Sequence, residues 1–255
     1  MTIAPSVIST VFGIPITNTV LMTVITDAVI VAVIIAFRFS VSIYPKKFQN
    51  ICEMAIEYFY NTTKDIAGSR AEYIFPWVMT FFVMIVISNF MGLIPGVETI
   101  RFHSAAAGEH DGVALFRTAT SDLNLTLALA VVSLFVTHLY SVKYTGIKSY
   151  IGRFISFKML PIFLFVGLLE FIGEFTKILS FSFRLFGNIW AGEVVLGTVS
   201  SIIASIPIPG IVIIFGQALA KIPFMALEIL VALIQAIVFS MLTMVFMSIM
   251  TDKNH

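Results

Sequence analysis

The sequence predicts an all-α membrane protein: about five membrane-crossing helices plus a surface amphipathic helix. Three observations carry that prediction. Apolar residues fill 59% of the 255 positions and charged residues only 11%, where a soluble domain carries roughly a quarter. The mean hydropathy is +1.02. The apolar residues also fall in runs that match a hydrocarbon core needing about 20 residues of helix. So little charge excludes an ordinary soluble enzyme and a disordered segment. A net charge of +1 leaves no basic surplus for phosphates, which excludes a nucleic-acid binder. A single cysteine, Cys52, excludes a disulfide framework or a thiolate metal cluster within one chain.

The elements follow in order along one polytopic domain, 1–255. The run 20–39 is interrupted by Asp27, which is expected at the outer headgroup level. No lysine or arginine precedes Arg38, so this segment lacks the basic start of a signal peptide and is expected to stay. The stretch 45–68, containing QNICEMAIEYFYNTTKDI, is amphipathic and reads as an interfacial helix. The runs 74–95 and 122–142 supply the second and third crossings. One helical pattern then continues over 159–206, stops at Pro207, Ile208, Pro209 and Gly210, and resumes over 210–250. Neither proline can donate a backbone bond, and each restricts the residue before it. At 1.5 Å per residue the stretch 159–206 would be roughly 70 Å long, against a core of about 30 Å. The last two segments therefore read as a strongly tilted helical hairpin.

Orientation follows from the basic residues. Lys46, Lys47, Lys64 and Arg70 lie between the first two crossings; Lys143, Lys148, Arg153 and Lys158 precede the hairpin, and Lys253 lies in the tail. The loop from Pro95 to Ser121 has only Arg101 and Arg117, mixed with Glu98, His103, Glu109, His110 and Asp111. The positive-inside rule then places the N-terminus outside and the C-terminus in the cytoplasm. No internal repeat is visible, which weighs against an inverted-repeat transporter.

The hairpin holds Glu170, Glu174, Lys177, Arg184, Glu193, Lys221 and Glu228. Each charge at membrane depth costs about 2.5–3.5 kcal/mol on insertion scales. Helical geometry places Glu170, Lys177, Ser180, Arg184 and Asn188 on one polar stripe. Glu193, nine residues beyond Arg184, points to the opposite side about 13 Å further along. Glu228 and Gln235 are seven apart and share a face. With the orientation above, Glu170 falls in the inner half, Arg184 near the middle and Glu193 in the outer half. A carboxylate can carry a proton into a membrane as a neutral acid, whereas arginine stays charged. A fixed cation between two acid-lined routes blocks a direct leak and draws a proton off any carboxylate that passes close by. Plainer readings apply to other groups. Glu170 or Glu174 pairing with Lys177 can be purely structural, Lys221 can snorkel, His138 can bond a carbonyl near the inner interface, and the 25 phenylalanines read as packing and lipid-facing surface.

Several segments around these charges resemble one family. SFSFRLFGNIWAGEVVL, Ser180 to Leu196, is similar to the signature around the essential arginine of subunit a of the rotary F-type ATP synthase, bacterial type. GLLEFIGEFTK precedes it at that family's spacing. NFMGLIPG (Asn89 to Gly96), TSDLNLTLALA (Thr120 to Ala130) and LIQAIVFSMLTMVFMSIM match its middle and last spans. The resemblance implies that Arg184 faces a rotating ring of c subunits, with Ser180 and Asn188 beside it and Gln235 packed close. It implies that Glu170 belongs to the inner half-channel and Glu193 and Glu228 to the outer one. Asn89, Asp122, Asn124, Glu174 and Lys177 become candidate lining. Where many bacterial members carry histidine seven residues before the glutamine, this sequence has Glu228.

The function implied is that of a proton-conducting stator subunit in the plasma membrane of a bacterium, loading and unloading protons on ring carboxylates to drive rotation for ATP synthesis. Its partners would be the c-ring, b-type peripheral stalk subunits, the rest of the complex and lipid, with protons carried in preference to sodium. No cofactor, metal or catalytic site of its own is implied, and no phosphate-binding loop is present in the sequence. The competing function is a cation-coupled solute transporter with Arg184 binding a substrate anion. A third, a scaffold for other membrane subunits, leaves charges placed by depth unexplained.

Overall fold

A computed structural model describes residues 5–11, 13–94, 96–97, 100–102, 113–154, 162–206 and 209–252. The chain opens with an antiparallel hairpin of β1 (Val7–Val11) and β2 (Ile14–Thr17), followed by α1 (Asn18–Ser40), α2 (Lys47–Ala67) and α3 (Ala71–Gly92). Two short paired strands, β3 (Arg101–Phe102) and β4 (Val113–Ala114), precede α4 (Leu123–Thr145), α5 (Ile147–Phe154), α6 (Ile162–Ala204) and α7 (Gly210–Met250). Among the described residues five helical stretches are long and apolar enough to cross a membrane: Asn18–Ser40, Lys47–Gly92, Leu123–Thr145, Gly167–Ala204 and Gly210–Met250. At 43 and 41 residues, α6 and α7 each run for roughly 60–65 Å.

The elements differ from expectation in three places. The N-terminal hairpin is too short for its alternation to stand out, and the residue that fixes it acts at long range. Asn18 accepts a bond from the Ser6 amide (3.3 Å) and donates to the carbonyl of Ala114 (3.2 Å). The stretch after α4 is not a plain loop, because Gly146 takes φ 82° and ends α4, releasing the amphipathic α5. Helix α3 starts at Ala71 rather than 74, joined to α2 through a single 3-10 turn, Gly68–Arg70. The expected start at Met159, the turn at Pro207 and Ile208, and Glu98, His103, Glu109, His110, Asp111, Lys158 and Lys253 lie outside the described residues.

The chain packs as two compact units. The first comprises residues 1–34, 83–125 and 184–236, and the second residues 35–82, 126–183 and 237–255. In the first, Ile85, Leu185, Ile189, Ala232 and Ala236 are buried. Gln217 of α7 donates to the carbonyl of Ser200 on α6 at 2.9 Å, pinning the two helices beside their turn. The second unit has a core of Phe59, Ile74, Val78, Val136, Met244 and Met247. Small polar side chains tie its helices together, as is common where apolar packing alone drives no association. Ser133 and Thr243 share a bond at 2.9 Å, and Ser141 donates to the carbonyl of Met250 at 2.6 Å. Arg70 closes the C-terminal end of α7, donating to the carbonyl of Ser248 (3.0 Å) and pairing with Asp252 (3.4 Å), where a cation complements the helix dipole.

Candidate functional site

Within the first unit, polar side chains from five elements converge. Helix α4 begins with an acidic cap: Asp122 accepts the amide of Asn124 (2.9 Å) on one oxygen and the hydroxyl of Thr19 (2.7 Å) on the other. Just before it, Thr120 donates to the Asn89 side-chain oxygen (2.6 Å), and the Asn89 amide donates to the carbonyl of Ala232 on α7 (3.2 Å). Asn89 is 1% exposed, so these bonds offset the cost of burying an amide in a membrane helix. The same segment supplies Arg117, whose Nε lies 3.1 Å from Ser121 Oγ and 3.5 Å from Glu193 Oε2.

Glu193 and Glu228 are both buried, at 7% and 6% exposure. They come from different helices, and the backbone of α6 brings them to one place. A Cβ on Gly192 would overlap the Glu228 carboxyl; the missing side chain is what lets the carboxyl of α7 lie beside the residue preceding Glu193. The Glu228 carboxyl of α7 therefore lies against Gly192, the residue before Glu193, and Arg117 lies against Glu193 itself.

The second unit holds a separate cluster. Glu174 is 7% exposed; its Oε1 accepts Lys177 Nζ at 2.7 Å, and its Oε2 lies 3.5 Å from His138 Nε2. Lys177 also sits 4.6 Å from the centre of the Phe246 ring. Contrary to expectation, the His138 ring meets side chains rather than a carbonyl among the described residues: its Nδ1 shares a 3.0 Å hydrogen bond with the hydroxyl of Tyr150 on α5. A side-chain hydroxyl and a carboxylate within reach left the ring no need of a backbone acceptor. Glu170, one turn before Glu174, is half-buried and forms no ion pair among the described residues.

The remaining candidates differ in exposure. Ser180, Arg184 and Asn188 are exposed, and their four-residue spacing puts them on one side of α6. Phe183 beside Arg184 is also exposed. Gln235 is half-buried, Asn124 is exposed, and Lys221 is half-buried.

The chain matches the family model described as ATP synthase A chain over residues 20–248. The chain belongs to the ATP synthase subunit a family. Among its relatives is an ATP synthase subunit a of Oceanobacillus iheyensis, 30% identical over 98% of each chain. One of Psychromonas ingrahamii is 33% identical over 83% of this chain and 74% of its own, and one of Bartonella tribocorum is 30% identical over 94% and 88%. Membership places the chain in a bacterial membrane, as a proton-translocating protein of the membrane sector rather than the subunit that performs the nucleotide chemistry.

Sequence reasoning missed the parts played by Arg117, Thr120, Gly192, His138 and Tyr150. Arg117 comes from the segment before α4 and Glu193 from α6, and no local pattern links them. A glycine inside a membrane helix is common, so Gly192 carried no signal until its neighbour was known. His138 and Tyr150 are 12 residues apart, on α4 and α5. Only the fold brings Tyr150 to His138 and His138 to Glu174 on α6.

Proposed function

We propose that this chain is the proton-conducting stator half of the membrane motor, providing an outer and an inner half-channel to a ring of c subunits. The observation that carries the reading is Arg184, an arginine exposed on a membrane-length helix among apolar neighbours. An arginine at membrane depth costs at least about 2.5 kcal/mol, and that cost is offset when its charge faces a carboxylate on a partner. Protons enter from outside past Glu193 and Glu228 and load a ring carboxylate. After nearly one rotation the carboxylate meets Arg184, which favours its ionised form, and the proton leaves past Glu170. Each proton crossing 100 mV releases about 2.3 kcal/mol, so several are needed for each ATP.

Two further features support the reading. Each unit holds its own buried carboxylates, Glu193 and Glu228 in the first and Glu174 in the second, which suits two half-channels. The excess length of α6 and α7 over a bilayer suits a tilted pair lying along a curved ring. Asn89 and Asp122 then brace the outer route, while Ser180, Asn188 and Gln235 surround Arg184. The N-terminus lies outside and the C-terminus in the cytoplasm, and b-type stalk subunits hold the chain against the torque of rotation.

The deciding experiment is Arg184→Ala in inverted membrane vesicles, with subunit content, ATP synthesis and dye-reported proton leak measured together. Synthesis stops, because nothing discharges the ring carboxylate, and passive conduction persists or rises, because the fixed cation between the routes is gone. Arg184→Lys fails as well, since a buried ammonium can lose its proton and lacks the planar fork. Normal synthesis in Arg184→Ala would falsify the mechanism.

A further inference from the structure

We infer that His138 and Tyr150 extend the inner half-channel: Glu174, His138 and Tyr150 form a proton relay from membrane depth to the surface helix α5. This rests on the half-channel reading above and adds residues to it. Glu174 sits on α6, a helix long enough to cross a membrane, and is buried at 7% exposure. Lys177 at 2.7 Å already matches its charge. A second nitrogen is therefore superfluous for neutralising the carboxylate, yet His138 Nε2 lies 3.5 Å from the other oxygen. That distance is longer than a formed N–H···O bond of about 2.7–3.2 Å, so the contact is not a tight structural clamp.

The far side of the ring completes the pattern. His138 Nδ1 meets the Tyr150 hydroxyl at 3.0 Å, so each ring nitrogen faces a group that can exchange a proton. Tyr150 stands on α5, only eight residues long and amphipathic, too short to cross a bilayer. The line Glu174, His138, Tyr150 thus leads from a crossing helix to one that lies along the surface. Among the described residues, Glu174 from α6 and Tyr150 from α5 face the ring nitrogens; Lys177 bonds the Glu174 carboxylate rather than the ring, and α7 contributes the uncharged Phe246 against Lys177.

The step balances without a co-reactant. A proton delivered to Glu174 passes from its Oε2 to His138 Nε2, giving an imidazolium. The Nδ1 proton then leaves through the Tyr150 hydroxyl to water at the surface; the ring ends neutral with its proton on Nε2 and returns to the Nδ1–H tautomer by a ring flip before the next transfer. Histidine suits this because its charge changes within roughly pH 5–8.

The test uses membrane vesicles holding the complete complex, and the same vesicles stripped of the catalytic head. His138→Gln keeps polar atoms near both neighbours but cannot hold the proton; Tyr150→Phe removes only the terminal hydroxyl. With subunit content unchanged, passive proton conduction falls by at least roughly a hundredfold in His138→Gln, as for a group that itself takes and gives the proton. Its dependence on cytoplasmic pH between about 5 and 8 flattens. Tyr150→Phe shows a smaller loss in the same direction. Wild-type conduction and pH profile in both variants overturn the relay, and if His138→Gln does not assemble, Tyr150→Phe decides alone. Arg184→Ala run in parallel separates the two readings: normal synthesis there removes the half-channels themselves, whereas its loss, with both relay variants at wild-type conduction, removes only the relay.

Discussion

The two carboxylate clusters solve the same problem with different cations. In the first unit the partner of Glu193 is Arg117, which arrives from the chain segment before α4 and keeps its charge at any working pH. In the second unit Glu174 has a lysine from its own helix and a histidine from α4, the latter a ring with two nitrogens that can each hold a proton. A carboxylate held by arginine can change its protonation only on the acid itself. A carboxylate held by lysine and histidine can share the change with its partner. The first cluster therefore sets a permanent cation against Glu193, whereas the second gives Glu174 a partner that can take a proton.

The largest break in that contrast comes from Arg117→Gln. Arg117 and Glu193 have side chains only 12% and 7% exposed, and removing one partner of a buried ion pair costs about 3–5 kcal/mol because the other charge stays buried. Thermal release of the subunit from the detergent-solubilised complex reads this out. Adding Glu193→Gln recovers much of the loss, since both charges are then gone. Lys177→Gln costs clearly less, because Glu174 retains His138. Equal losses for Arg117→Gln and Lys177→Gln would erase the distinction between the clusters.

How far the sequence led differs between the clusters as well. Helix number, the long final pair and the presence of Glu193, Glu228, Glu170 and Arg184 within apolar helical runs were legible, since run length and charge placement are properties of the chain alone. The companions of those charges were not. Arg117 stood in a mixed-charge loop where nothing marked its target, and His138 looked like one more interfacial histidine until α5 was seen to fold back beside it. The β1–β2 hairpin escaped notice because its anchor, Asn18, bonds a carbonyl 96 residues away. What periodicity reveals is the side a residue faces; what it faces is decided by packing between distant segments.

A finer contrast uses the glycine before each acid. Gly192 precedes Glu193 and Gly173 precedes Glu174, both inside α6. A Cβ on Gly192 meets the Glu228 carboxyl, whereas one on Gly173 meets nothing within 4 Å. Gly192→Ala should therefore cost about 1–3 kcal/mol of overpacking and slow synthesis by displacing Glu228. Gly173→Ala should be neutral or stabilising by up to about 1 kcal/mol, the ordinary gain of alanine over glycine in a helix. Thermal release and ATP synthesis in the two variants check this, and a tolerated Gly192→Ala would mean that Glu228 has room to move.

The smallest effect separates two residues that the sequence grouped as candidate lining, Asp122 and Asn124. Asp122 is buried and accepts both the Thr19 hydroxyl and the Asn124 amide. The contribution of Asn124 to that cap is its backbone N–H, and its side chain is exposed. Asn124→Ala keeps the backbone donor, so its stability should change by no more than about 0.5 kcal/mol, as for a surface substitution. Asp122→Ala removes the cap and a charge-assisted bond together, and should cost at least about 1 kcal/mol. Proton-driven synthesis sharpens the point, because stability and transport can part company at a route. If Asn124→Ala assembles normally yet slows synthesis, its exposed amide lines the path of the proton and the first cluster is wider than its buried members. If both quantities hold at wild-type levels, the route runs through the buried acids and their cap, and Asn124 serves only as the first turn of α4.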